Sequence, residues 1–386
     1  MTISQQLNAK VQALLQKQIA DGRQIGVQVS AYQAGEPIVD TWAGAMGPED
    51  PRPVQADTLF NCFSTTKGVA ATALHILADR GQIEYEQSVA KYWPEFAANG
   101  KGKVTVAQAM SHQAGLHAVP TPLKVSFVSD WQGGLDYIAN GIPAWEPGTA
   151  TGYHALTYAW VVGGIVQGAT GRHIKNVIAE EIAAPLGLSN DMFVGIPDGL
   201  ESRLASLKSP KNGLAGDLPI PPDHDFFKAM PTDTEVDFND MRVRKACLPS
   251  ANGHFSARAL AKMYGALANG GEIGGVRLMS KERVAEMQKI IERRPDRVLF
   301  MPIPKGVGVM MGGKMPGMMG GEPIAGVFGP RETAFGHSGA GGSTAFCDPE
   351  AGLSVAVTIN QMQNSLQGEG PTFEICDLIR RELSVA

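Results

Sequence analysis

Apolar positions along the chain switch between two periods. Near the start, Leu7, Val11, Leu14, Leu15 and Ile19 recur at helical spacing, which predicts an amphipathic helix over residues 4–20. An apolar-rich run from Ile25 to Tyr32 follows, then Gly35-Glu36-Pro37, then a second run from Ile38 to Trp42; together these read as a β-hairpin. Val69, Ala73, Ile76 and Leu77 form one apolar stripe on a helix predicted over residues 64–80, which Gly81 stops. Helical segments separated by Gly- and Pro-bearing loops occupy about 85 to 245, with residues 104–111 and 157–168 the clearest helices. Residues 208–245 are polar and proline-bearing and read as an extended loop. Ser256 is placed to cap a helix over 257–267, which Asn269-Gly270-Gly271 ends.

The last third returns to the short period. Residues 333–337, 343–348 and 353–360 read as strands, with Asp348-Pro349-Glu350-Ala351-Gly352 as the turn between the second and third. A helix over 373–383 follows. The fold class is α+β: one antiparallel sheet joins strands from both ends of the chain, terminal helices flank it, and a mostly helical lobe is inserted. Residues 1–80 and 245–386 make the sheet lobe and 81–244 the helical lobe of a single catalytic unit. Val307 to Gly321 is unusual, with Met310, Met311, Met315, Met318 and Met319 among many glycines; it reads as a pliable apolar flap or as a plain surface loop.

Composition narrows the picture. At 386 residues, 44% apolar and 18% charged, the chain is an ordinary globular one with length for two lobes. A net charge of −5 gives no reason to expect a nucleic-acid or anionic-membrane partner. Met1-Thr2-Ile3-Ser4-Gln5-Gln6 lacks the basic and apolar regions of a signal peptide, and no apolar run approaches spanning length. Cys62, Cys247, Cys347 and Cys376 are scattered without a CxxC pair, so reduced thiols are expected, with neither a disulfide framework nor a zinc site. The compartment read from this is cytoplasmic.

Three groups of residues carry candidate chemistry. In Ser64-Thr65-Thr66-Lys67-Gly68 a serine and a lysine three residues apart open a helix, so that an amine can sit beside a hydroxyl and activate it as a nucleophile. A serine there can equally be a helix cap. In Gly152-Tyr153-His154-Ala155, Tyr153 lies on a loop before a helix; a nearby Lys67 ammonium would lower the phenol pKa and let it take the Ser64 proton. Phe335 to Gly342 ends a strand in small residues, whose backbone N–H groups with that of Ser64 suit an oxyanion hole. Gly336-His337-Ser338-Gly339-Ala340 nearly spells a nucleophile elbow, but the strand-to-helix turn and a later histidine are missing, so Ser338 is rejected as nucleophile.

In this order the groups resemble the serine β-lactamase and penicillin-binding-protein superfamily, and more closely the family VIII carboxylesterases, which share the class C β-lactamase fold. The resemblance also takes in Ser111-His112-Gln113-Ala114-Gly115-Leu116, Pro147-Gly148, Trp160, Gly163, Pro185-Leu186-Gly187-Leu188 and Pro249-Ser250-Ala251-Asn252-Gly253, and so covers nearly the whole chain. It implies Ser64 as the acylated nucleophile, Lys67 as its activator and Tyr153 as general base and acid, with Lys67 as base left open. It implies the N–H groups of Ser64 and Ala340 as oxyanion hole. Gly339 and His337 are expected at the substrate, His337 contacting the ester, completing the hydrogen-bond network or serving as a structural strand residue, and His154, next to Tyr153, is expected to line the cleft. No metal or organic cofactor is implied. Ala155 stands where class C β-lactamases carry asparagine, and His337 where their third motif begins with lysine. Both departures favour a neutral ester over an anionic β-lactam. The expected activity is hydrolysis of short- to medium-chain esters through an acyl-enzyme. An acyltransferase, a β-lactamase or D-alanyl peptidase, and a non-catalytic binding relative are the alternatives, and the oligomeric state is open.

Overall fold

The structure is a computed structural model that describes residues 2–210, 213, 220–315, 322–364 and 369–385. Its centre is a six-stranded antiparallel sheet of β1 (Gly26–Gln33), β2 (Glu36–Gly44), β3 (Met310–Met311), β4 (Phe335–Ser338), β5 (Thr344–Asp348) and β6 (Leu353–Ile359). The order across the sheet is β2-β1-β6-β5-β4-β3, so strands from the two ends of the sequence lie side by side, with Val27 opposite Ile359.

The two faces of the sheet differ because strand side chains alternate. Val27, Val29 and Ala31 of β1 and Val355, Val357 and Ile359 of β6 face an outer layer of α1 (Ile3–Ala20) and α5 (Pro371–Glu382), where Leu7, Val11, Leu15, Ile375 and Ile379 close the core. The other face of β6 is small and polar. There Ser354 Oγ donates to the Ala261 carbonyl at 2.8 Å, which brings α4 (Ala257–Ala268) onto the sheet. Ser256 caps α4 as expected, its Oγ accepting from Ala259 N–H at 3.2 Å.

The helix that follows Ser64, α2 (Thr65–Asp79), departs from the predicted single stripe. It is buried around its whole circumference, from Thr65 through Ala78. Its small residues allow this: a Cβ on Gly68 would lie 2.0 Å from the Tyr264 hydroxyl. Helix α3 (Tyr158–Thr170) crosses it, and Gly163 and Gly164 admit the rings of Trp131 and Trp93.

Two predictions are corrected. The helix expected over 104–111 runs only Val106–Met110, because Thr105 and Gln108 form a capping box that fixes its start. The stretch 208–245 is not all loop: Asp225–Ala229 and Met241–Lys245 are short helices, capped by the His224 ring and the Asp240 carboxylate. The middle of the chain also contributes the strand Met192–Val194 to a small sheet with Gly253–Phe255 and Phe60–Asn61, which ends just before Ser64. Among the described residues no helix is long and apolar enough to cross a membrane.

Candidate active site

Ser64 stands at the N-cap position of α2, but its side chain makes no capping bond. Its Oγ instead lies 3.2 Å from Lys67 Nζ. The residue before it, Phe63, has a φ of 44°, a conformation that disfavours a side chain by about 1–3 kcal/mol. Phe63 is held there by the Asn61 carboxamide on its N–H, by Thr66 on its carbonyl, and by edge-to-face packing on Phe238. This kink turns the short strand into the helix and leaves the Ser64 hydroxyl partly exposed on the first turn.

Lys67 is fully buried. Its Nζ donates to the Ala155 carbonyl at 2.7 Å and the Ser250 carbonyl at 2.9 Å, with Ser64 Oγ as its third partner. Burial without a carboxylate partner pushes its pKa well below the usual lysine range, which favours the neutral amine. A neutral amine has two hydrogens and one lone pair. The two carbonyls take the hydrogens and the lone pair is left for the Ser64 hydroxyl.

Tyr153 reaches the same place from its loop. It is 5% exposed, its ring lies under Lys67 Nζ at 4.7 Å from the centroid, and Ser64 is near enough to its phenol to draw the pKa down. The expectation that Lys67 would lower the Tyr153 pKa is corrected. Burial drives the phenol up, further than the neighbouring Ser64 brings it back. Burial that disfavours the Lys67 ammonium also removes the charge that would stabilise a phenolate, and the raised pKa favours the protonated phenol.

His154 is also corrected as a substrate contact. Its Nδ1–H donates to the Gly152 carbonyl at 2.7 Å and its Nε2 accepts from Leu116 N–H at 3.0 Å. Both ring nitrogens are used within a fully buried side chain, and burial lowers its pKa to about 3. Its role is to brace the Tyr153 loop. His112 does the same from the other side: its carbonyl accepts from Gly152 N–H and its Nδ1 from His154 N–H. His75, within α2, is likewise satisfied, by the Val307 carbonyl and the Tyr85 hydroxyl.

Strand β4 brings His337, Gly339 and Ala340 to the nucleophile. A Cβ on Gly339 would lie 2.2 Å from the Cys62 carbonyl, so only glycine lets this strand end approach the turn that carries Ser64. Among the described residues neither the Ser64 nor the Ala340 amide has a backbone acceptor, which leaves both free to bind an oxyanion. His337 is 1% exposed, and its Nδ1–H donates to the Ser338 carbonyl at 2.8 Å. Its Nε2 is therefore an acceptor, with no partner among the described residues, and burial holds its pKa at about 3. Ser338 points to the opposite face and pairs with Thr344, away from the Lys67 amine.

Beside Gly339 and Gly341 opens an apolar cavity of about 300 Å³, walled by Met310, Met311, Met315 and Phe328. Ser338 and Thr344 also line it, so it opens on the face of β4 turned away from the Lys67 amine, and Ser64, Lys67 and Tyr153 are not among its walls. The methionine-rich segment is thus in part a wall built on edge strand β3; residues 316–321, with Met318 and Met319, lie outside the described residues. Sequence reasoning missed the Ser250 carbonyl, the bracing His112, and the buried pair Asp296 and Lys305 behind Tyr153. Any residue type supplies a carbonyl, and the other contacts are distant in sequence, so no local signal marks them.

The beta-lactamase family model matches residues 11–374. An esterase/beta-lactamase, LipL, of Mycobacterium tuberculosis is 35% identical over 361 residues, covering 88% of this chain and 78% of that protein. A crystal structure of a family VIII carboxylesterase superposes with a TM-score of 0.87 at 35% identity, covering 97% of each chain. A penicillin-binding-protein homologue from Caulobacter crescentus superposes at 0.85 with 34% identity, again over 97% of each. By a match over most of its length, the chain belongs to the beta-lactamase family.

Proposed function

We propose that the protein is a serine carboxylesterase that cleaves neutral esters of short to medium chain through an acyl-enzyme on Ser64. The observation that carries this is the Lys67 Nζ, held by two carbonyls and lying 3.2 Å from a serine hydroxyl that does no capping. The esterases among its relatives support the same reading.

In the first half-reaction Ser64 Oγ–H gives its proton to neutral Lys67 as Oγ bonds to the ester carbonyl carbon. The carbonyl oxygen takes the negative charge and is bound by the N–H groups of Ser64 and Ala340. The carbon–alkoxy bond then breaks, and the leaving oxygen takes the Tyr153 phenol proton. The proton gained by Lys67 replaces the one lost by Tyr153, so both end neutral. Water repeats the sequence in reverse and frees the acid.

His337 supports a neutral substrate, since a neutral ring with a lone pair facing inward offers no cation for a carboxylate. The unpaired cysteines support a reducing, cytoplasmic setting. The test is labelling with a fluorophosphonate and location of the adduct by peptide mass. The adduct is expected on Ser64, and Ser64→Ala is expected to lose p-nitrophenyl butyrate hydrolysis; an adduct elsewhere with activity retained would overturn the reading. A chromogenic cephalosporin should be a poor substrate, and added alcohols measure any acyl transfer.

A further inference from the structure

Tyr153 is held from a side that takes no part in bond making. The Asp296 carboxylate accepts the backbone N–H of Tyr153 at 3.0 Å, and on the same Oδ1 those of Val298 and Leu299 at 2.9 Å each. Its Oδ2 lies 3.0 Å from Lys305 Nζ. Lys305 in turn donates to Thr151 Oγ1 at 3.3 Å, and Arg297 N–H donates to the Thr151 carbonyl at 2.9 Å. The segment carrying the ion pair therefore grips the Tyr153 loop on both sides of Gly152.

Among the ion pairs of the described residues, this one alone has both side chains out of solvent, at 1% and 0% exposure. Burying two charges is a poor way to stabilise a fold, because desolvation offsets their attraction and apolar residues often do as well. The Tyr153 peptide on the carboxylate gives the pair a different use. We propose that Asp296 and Lys305 are positioning residues for Tyr153. Asp296 fixes the peptide so that the phenol meets Ser64 and the leaving oxygen, and Lys305 neutralises the buried carboxylate and ties it to Thr151. The proposal rests on Tyr153 as proton donor to the leaving group.

The readout is leaving-group dependence. p-Nitrophenolate leaves without a proton, whereas ethoxide needs one, so a misplaced donor penalises ethyl butyrate and spares p-nitrophenyl butyrate. Tyr153→Phe sets the reference: the ratio of kcat/KM between the two esters, which reports acylation alone, should shift by about 100-fold. Asp296→Ala with Lys305→Met removes both charges and the acceptor, and its ratio should shift at least tenfold in the same direction. Asp296→Asn with Lys305→Met keeps an acceptor for the three N–H groups without either charge, and should restore the wild-type ratio to within about threefold. Fluorophosphonate labelling of Ser64 should continue in all three. If both pair variants lower the two esters equally, the pair is structural and the proposal fails. If Tyr153→Phe itself leaves the ratio unchanged, the donor reading fails instead.

Discussion

In the proposed mechanism, burial gives Lys67 a role that a surface lysine could not fill. An exposed lysine is protonated at neutral pH and has no lone pair to offer. Here the first turn of α2 carries it into a dry site where two carbonyls accept its hydrogens and no carboxylate retains the third. Because the amine must be neutral to act, kcat/KM should rise with pH through the lowered Lys67 pKa and stay level above it, the limb lying well below 10.5. A pH–rate profile checks the sign: a rate still climbing toward pH 10 would mean an ordinary lysine. Lys67→Arg places a permanent cation at the same position, and should lower kcat/KM by roughly 100- to 10,000-fold at every pH. The Ser64–Lys67 spacing was readable in the sequence because it depends on side chains three residues apart. That Ala155 contributes its carbonyl in place of a side chain was not, since the peptide group is common to all residues.

Elements were legible where pattern and period agree. The β1–β2 hairpin, β5, β6, α1 and α4 fall within a few residues of where apolar spacing and caps put them. Strand β3 was missed because it is two residues long in a glycine- and methionine-rich stretch with no alternation, and it exists only through pairing with Phe335 and Gly336. The small sheet beneath Ser64 was missed for the same reason, since strands of two or three residues have no period to read. At the end of β4 the sequence showed glycines, and packing shows why position 339 must be one. Gly339→Ala would drive a methyl into the Cys62 carbonyl and push the Ala340 amide away from Ser64. The expected result is a kcat loss of roughly 100- to 1,000-fold, the effect of removing one oxyanion donor. Hydrolysis kinetics alongside a melting curve check it, because unchanged kcat would place the oxyanion hole elsewhere.

For the whole molecule, the buried histidines set a limit on acid tolerance. Burial lowers the pKa of His75, His154, His254 and His337 to about 3 each, so all four are neutral in the folded chain and titrate near 6.5 when it unfolds. Above pH 6.5 neither state binds these protons and stability is unaffected. Below it the unfolded chain binds them and the folded chain does not, until pH falls to about 3. Each imidazole then lowers stability by about 1.4 kcal/mol per pH unit, roughly 5 kcal/mol per unit for the four, against a typical total of about 5–15 kcal/mol. Unfolding is expected between about pH 6 and pH 4. Urea midpoints measured from pH 8 to pH 5 check it, and a constant midpoint would mean that the histidines titrate in the folded state.

The pairing of β1 with β6, which joins the two ends of the chain, has a consequence for the order of events during synthesis. Ser64 and Ala340, the two amides of the proposed oxyanion hole, are 276 residues apart in sequence (340 − 64). At about 5–20 residues per second, a ribosome that has made Ser64 needs roughly 14–55 s to reach its partner. Through that interval the nucleophile helix is made, but the strand end that completes the site is not. The nascent chain therefore carries an unfinished sheet edge and no esterase, and activity arrives in one late step when the last strands slot in beside the first.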